Sequence, residues 1–175
     1  MGIEIRIAGP DDAFAACDVL RRSIAECCVA DHRNDPERLK AWLGNKTPQN
    51  VASWFVSPAN HVLIAERDGV VVGVALLTQA GKLSLCYVLP EALYCGVGKA
   101  LLQGVEAQAR AWGVSVLRLN STVTASKFYE RNGYILAGKE MSCYGLECDF
   151  FWKKLNVTDA CNPAPSKRFC QCSGQ

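Results

Sequence analysis

The segment from Tyr87 to Leu102 restricts the fold more than any other stretch of the chain. Tyr87-Val88-Leu89 closes a strand candidate that begins at Lys82, and Pro90 ends it. From Gly96 onward, Leu101, Leu102, Val105, Ala109 and Trp112 recur at helical spacing until Gly113. A buried strand that turns within a few residues into an amphipathic helix implies helices layered on a sheet. Between the two stands Gly96-Val97-Gly98, with Lys99 at its edge. A helix N-terminus exposes unpaired N–H groups and partial positive charge, which suits a pyrophosphate. Glycines let the backbone approach such an anion. A plain strand-to-helix turn has the same two glycines, and a Rossmann loop fits poorly because Leu101 stands where its third glycine belongs.

The rest of the chain supplies the other layers. Ile3, Ile5 and Ile7 alternate as a strand does. Pro10 with Asp11 and Asp12 opens a helix predicted to reach about Cys28, with Leu20, Ile24, Cys27 and Cys28 on one apolar face. Asp35-Pro36 and Thr47-Pro48 each pair an N-cap with a first-turn proline, starting helices that carry Leu39, Trp42 and Leu43, then Val51, Trp54 and Phe55. Apolar runs over 61–67 and 70–78 flank Asp68-Gly69, a hairpin signal. Further strands are predicted over 82–89, 114–120, 134–138 and 150–155, and a short helix over 124–132. The expectation is a mixed α/β domain, residues 1–155, whose mostly antiparallel sheet carries helices on both faces. Residues 156–175, with Pro163 and Pro165 and no periodicity, are expected to form a poorly ordered tail.

Charge and cysteine content exclude several roles. A net charge of +2 with no Lys/Arg run gives no footing for nucleic acid or an anionic membrane. No apolar stretch nears the ~18 residues of a membrane span, and Glu4 and Arg6 interrupt any leader-like core, so a cytoplasmic protein is expected. In that setting the ten cysteines default to reduced thiols. Cys161, Cys170 and Cys172 match no standard zinc spacing, and no metal is expected.

A second motif gives the glycine loop its meaning. Ala125-Ser126-Lys127-Phe128-Tyr129-Glu130-Arg131-Asn132-Gly133-Tyr134 follows a strand and ends in a glycine cap. With the Val88–Leu102 segment it resembles the GNAT superfamily of N-acetyltransferases, over about Ile3 to Leu155. The resemblance implies acetyl-CoA as cosubstrate. It implies that Cys86, Tyr87 and Val88 pair with the pantetheine arm and that amides from Tyr94 through Cys95, Gly96, Val97 and Gly98 to Lys99 hold the pyrophosphate. Asn120, Thr122 and Ser126 fall at further cofactor positions. Val88 N–H would stabilise the thioester oxyanion, and Tyr129 would protonate the departing thiolate. Leu93 departs from the family's Arg or Gln, and Thr122 from its frequent Asn.

The reaction implied is direct acetyl transfer to a primary amine of a small molecule. Such an amine is mostly ammonium at neutral pH, so something must take its proton. Glu26, Asp31, His32 and Asp35 cluster where the fold forms its acceptor wall, and they equally suit caps and turns. Tyr144 suits either the acceptor mouth or a half-buried packing role, and Trp42, Trp54 and Phe55 either a pocket or the core. Cys86 and Cys95 invite a covalent route, against which no histidine lies near them in sequence. A protein or peptide amine, or a non-catalytic acyl-CoA sensor, remains as an alternative. Monomer and homodimer are both open.

Overall fold

The computed structural model describes residues 2–156; the expectations for the tail and its three cysteines fall outside them. Seven strands form one sheet in the order β1-β2-β3-β4-β5-β7-β6. β1 (Ile3–Ile7), β2 (Asn60–Arg67), β3 (Val70–Thr78) and β4 (Lys82–Val88) are antiparallel neighbours. β5 (Val116–Ser121) joins β4 in parallel, and β7 (Glu147–Lys154) and β6 (Ile135–Met141) complete the sheet antiparallel. The helices are α1 (Ala13–Arg22), α2 (Val29–His32), α3 (Pro36–Leu43), α4 (Pro48–Val56), α5 (Val97–Ala111) and α6 (Ser126–Arg131).

Strand alternation assigns the two faces. Cross-strand partners share a face, so Gly73 with Val88, and Ala75 with Cys86, point one way. That side receives α5: a Cβ on Gly73 would lie 2.9 Å from both Leu101 Cδ1 and Val97 Cγ1, so only glycine permits this approach. Val74 and Tyr87 point the other way, and Tyr87 meets a small cluster of Ile24, Cys28, Leu146 and Trp42 of α3. The main core between the layers includes the fully buried Leu20, Ile64, Leu77, Leu101, Leu117 and Phe151.

Local signals act as their chemistry dictates. Asp68 and Gly69 both have positive φ (54° and 78°), the geometry of a primed two-residue hairpin. The Asp35 carboxylate accepts from Glu37 N and Arg38 N, and Thr47 Oγ1 accepts from Asn50 N. Trp42 is buried, and Trp54 and Phe55 pack against the core.

Two expectations need correction. The helix predicted to run to Cys28 ends at Arg22 and continues as a π-helical segment, Ser23–Cys27, before α2. The wider turn keeps Ile24 and Cys28 buried but leaves Cys27 half-exposed rather than on their shared face. The last hairpin is also longer than its apolar residues indicate. β6 runs to Met141 and β7 starts at Glu147, because β6 is an edge strand exposed at all seven positions and no burial imposes alternation on it.

Candidate active site

The parallel pairing of β4 and β5 covers only Lys82 with Arg118 and Leu83 with Leu119. Beyond that point the strands diverge and a cleft of about 580 Å3 opens between them. Its floor is Ser84, Cys86, Tyr87 and Val88 on one side and Asn120, Ser121 and Thr122 on the other. Gly96, Gly98 and Lys99 at the start of α5 also line the cleft, as do Ser23, Glu26 and Cys27 of the π segment and Cys28 next to them.

Ladder geometry orients the Val88 amide. Leu89 N donates to Val72 O at 2.9 Å, so the Leu89 N–H faces β3. N–H groups alternate sides along a strand, which turns the Val88 N–H toward the opening.

The phosphate end is built from backbone. Gly96 caps α5 at φ 87°, a left-handed conformation that glycine adopts without strain. Gly98 has a second reason to lack a side chain: a Cβ there would meet the Phe128 ring at 3.3 Å. Tyr94 lines the cleft with a fully exposed side chain and φ 59°, while Leu93 also lines it and brings no charge. Val97 is buried in the core against β3, and Cys95 is exposed and outside the cleft lining.

Tyr129 reaches the cleft from α6. Its ring packs edge-on against Phe128 and Tyr134, with centroids 5.2 and 5.6 Å away, and it is 6 % exposed. Burial, reinforced by Cys86 and the neighbouring tyrosines, holds its hydroxyl pKa well above the usual phenol value. The proton therefore stays on at neutral pH. Burial likewise pushes the Cys86 thiol up to about 11, against a smaller lowering by the Tyr129 hydroxyl. A thiol so disposed is a poor nucleophile. The seven cysteines among the described residues are all unpaired, and no group of three metal-ligating side chains occurs among those residues.

The residues suggested for the acceptor side separate. Glu26 lines the cleft, half-exposed, and accepts from Arg22 Nε at 3.0 Å, while Arg22 also grips Glu91 at 2.9 Å. Asp31 is buried and its carboxylate accepts from Val123 N at 2.7 Å and Thr124 Oγ1 at 2.6 Å. His32 is 1 % exposed; Nδ1 accepts from Asn34 N at 3.1 Å, which leaves Nε2 to donate to Ala25 O at 3.3 Å. The Tyr144 hydroxyl accepts from Asn45 Nδ2 at 3.1 Å and Lys46 Nζ at 3.3 Å. Asp31, His32 and Tyr144 are not among the cleft-lining residues. Asn120 and Thr122 line the cleft, whereas Ser126 donates to Asp149 at 2.8 Å.

Sequence reasoning overlooked Ser23, Cys27, Cys28, Ser84 and Thr124 as lining residues. The signal available for Ser23 and Cys27 was their spacing with Glu26, at i, i+3 and i+4, which puts all three on one helical face. It also overlooked Lys46, whose buried ammonium has Trp42 O, Asn45 Oδ1 and the Tyr144 hydroxyl for partners and the Tyr144 ring 5.0 Å away. Burial lowers its pKa to about 8.

A family model described as "Acetyltransferase (GNAT) domain" matches residues 30–148. An amino-acid acetyltransferase of Azotobacter vinelandii is 39% identical over 82 residues, 44% of this chain and 19% of that protein. The chain thus spans about a fifth of the amino-acid acetyltransferases it matches. An uncharacterized N-acetyltransferase of Mycobacterium tuberculosis is 29% identical over 111 residues, covering 59% of this chain and 71% of its own length. Among solved structures, a GCN5-related N-acetyltransferase from Rhodopseudomonas palustris superposes with a TM-score of 0.79 at 23% identity, over 89% of this chain and 97% of that one. The PaiA N-acetyltransferase of Thermoplasma acidophilum, solved with coenzyme A, gives 0.75 at 22% identity over 88% and 99%.

Proposed function

Because the chain belongs to the GNAT acetyltransferase family, we propose that it moves the acetyl group of acetyl-CoA directly to a primary amine of a small molecule, in the cytoplasm and as a single domain over residues 1–155. One observation carries this reading: Val88, whose N–H points away from β3, and Tyr129 line the same cleft between β4 and β5, together with Gly96, Gly98 and Lys99 at the start of α5. A thioester between them has a donor for its oxygen and an acid for its sulfur.

The pantetheine arm lies along Cys86, Tyr87 and Val88, opposite Asn120 and Thr122. The pyrophosphate rests on the amides from Tyr94 to Lys99, with Ser126 at the start of the helix that carries Tyr129. The acceptor enters from the π segment, where Glu26 is the candidate for meeting its ammonium and receiving the proton. Attack of the neutral amine on the thioester carbon gives a tetrahedral oxyanion facing Val88 N–H. Its collapse breaks the C–S bond, and the thiolate takes the Tyr129 proton. Cys86, protonated at neutral pH, has no covalent part in this route. Since the amino-acid acetyltransferases that match this chain act by name on amino acids, an α-amino group is the first acceptor to test. Leu93 favours a second reading, an acyl-CoA sensor without turnover, because it adds no charge to the phosphate end.

A thiol-release assay with acetyl-CoA separates them, run against L-glutamate and other amino acids, spermidine, aminoglycosides and short peptides. Turnover with an amino acid or another small amine is expected. Coenzyme A binding without release of thiol to any amine would mean a sensor, and preference for peptides would move the acceptor to protein.

A further inference from the structure

Asp31 sits on α2, on the acceptor side, yet its carboxylate is spent on the opposite wall. It accepts from Val123 N at 2.7 Å, Thr124 N at 3.4 Å and Thr124 Oγ1 at 2.6 Å, across more than ninety residues of sequence. The turn it holds is itself part of the cleft, since Thr122, Thr124 and Ala125 line it. That turn also leads straight into α6. Ala125 O accepts from Phe128 N at 3.0 Å and from Tyr129 N at 3.3 Å. One helical turn therefore separates the Asp31 clamp from the Tyr129 side chain.

The other end of Asp31 is as closely tied. Its own N–H donates to Cys28 O at 3.0 Å, and Cys28 closes the π segment that lines the cleft. Elsewhere α6 is held from its own side: Ser126 donates to Asp149, and Lys153 donates to Asn132 O at 2.9 Å. Asp31 differs from these ties in joining α6 to the wall that would meet the acceptor. A carboxylate fits this place because it only accepts, and three donors converge on its two oxygens. Asparagine would aim an N–H at the Thr124 donors.

Resting on the reading of Tyr129 as the acid, we propose that Asp31 is a positioning residue that fixes, through the Thr122–Ala125 turn, where α6 presents the Tyr129 hydroxyl to the thioester sulfur. It touches neither substrate nor cofactor. Small displacements of an acid from its target cost rate steeply, so the clamp acts on turnover rather than on cofactor affinity.

A double-mutant cycle tests this, using acetyl-CoA with whichever amine of the panel above turns over fastest. Asp31→Asn should lower kcat about tenfold, with coenzyme A Kd by calorimetry within about twofold of wild type. Thr124→Val, which removes one donor and leaves the carboxylate, should fold normally and lower kcat about threefold. In a Tyr129→Phe background, Asp31→Asn should lower kcat by less than about twofold, because the group it positions is gone. Full kcat in a folded Asp31→Asn protein overturns the proposal. So does an equal tenfold loss in both backgrounds, which would mark Asp31 as a packing or acceptor residue while sparing the acid. A Tyr129→Phe protein with unchanged kcat, or a wild type that acetylates nothing, removes the acid reading and this one with it.

Discussion

The two walls of the cleft are made by different means. The wall of β4, the glycine loop and α5 presents main-chain groups: the Val88 N–H, a left-handed Gly96 and the first amides of a helix. The wall of the π segment presents side chains, Ser23, Glu26 and Cys27, and the polar groups behind it, off the cleft surface, are already partnered inside the protein. Asp31 is clamped, His32 has both ring nitrogens engaged, and Lys46 is caged by neutral groups. A main-chain wall tolerates drift in sequence as long as its glycines and its register survive. A side-chain wall changes its ligand with each substitution. The difference explains why the cofactor can be assigned to a class while the acceptor has to be found by assay.

Perturbing each wall in turn sharpens that contrast. The largest effect should come from Gly98→Glu, which puts a carboxylate where phosphate oxygens belong and a Cβ against Phe128. Coenzyme A affinity by calorimetry should fall on the order of a thousandfold, about 4 kcal/mol. Wild-type affinity would remove the pyrophosphate from this loop. Next, Tyr129→Phe should lower kcat about a hundredfold, the scale of a single general acid, while coenzyme A binding stays near wild type. A parallel loss of both would make Tyr129 a binding residue.

On the acceptor side the leading effect is on stability. The folded-state pKa of Lys46 lies at about 8, below its ordinary 10.5. Between those pH values the unfolded chain holds the proton and the folded one has released it, so stability rises with pH across the window. Below pH 8 both states are protonated and the cost of burying the charge is fully present. Lys46→Met should be more stable than wild type below pH 8 by roughly 2–3 kcal/mol, and the difference should close by pH 10.5. Denaturant midpoints of the two proteins at several pH values read it directly, and the comparison cancels the thiols that titrate in the same range. A difference independent of pH would show that Lys46 titrates alike in the folded and unfolded chain, so that burial costs its ammonium nothing. The smallest effect belongs to Leu93→Arg, which restores a charged donor at the phosphate end and should tighten coenzyme A about fivefold. No gain would mean that the amides already satisfy the phosphates.

The main-chain wall was also the legible one. Gly96 and Gly98, the proline that ends β4 and the periodicity of α5 announce strand, loop and helix by local rules. Asp35, Thr47 and Asp68-Gly69 announce caps and a hairpin in the same way. The side-chain wall had no such signal. Whether Asp31 faces an amine or a turn depends on Val123 and Thr124, more than ninety residues away, and no spacing within 26–35 encodes it. The π segment was hidden because Leu20, Ile24 and Cys28 keep the i, i+4 rhythm of a regular helix. β6 was shortened in the reading because Gly138, Lys139 and Glu140 stand on an exposed edge, where alternation has no reason to appear.

The brief pairing of β4 with β5 has a mechanical consequence. Two residue pairs join a four-stranded half of the sheet to a three-stranded half. The seam is narrow enough for the halves to breathe against each other, with amide exchange at Leu83 and Leu119 as the gauge. On the proposed reading the pantetheine arm lies in the gap as a surrogate strand. Cofactor would then act as a rivet, stiffening both halves at once, and the empty enzyme would be the looser object that a protease finds first.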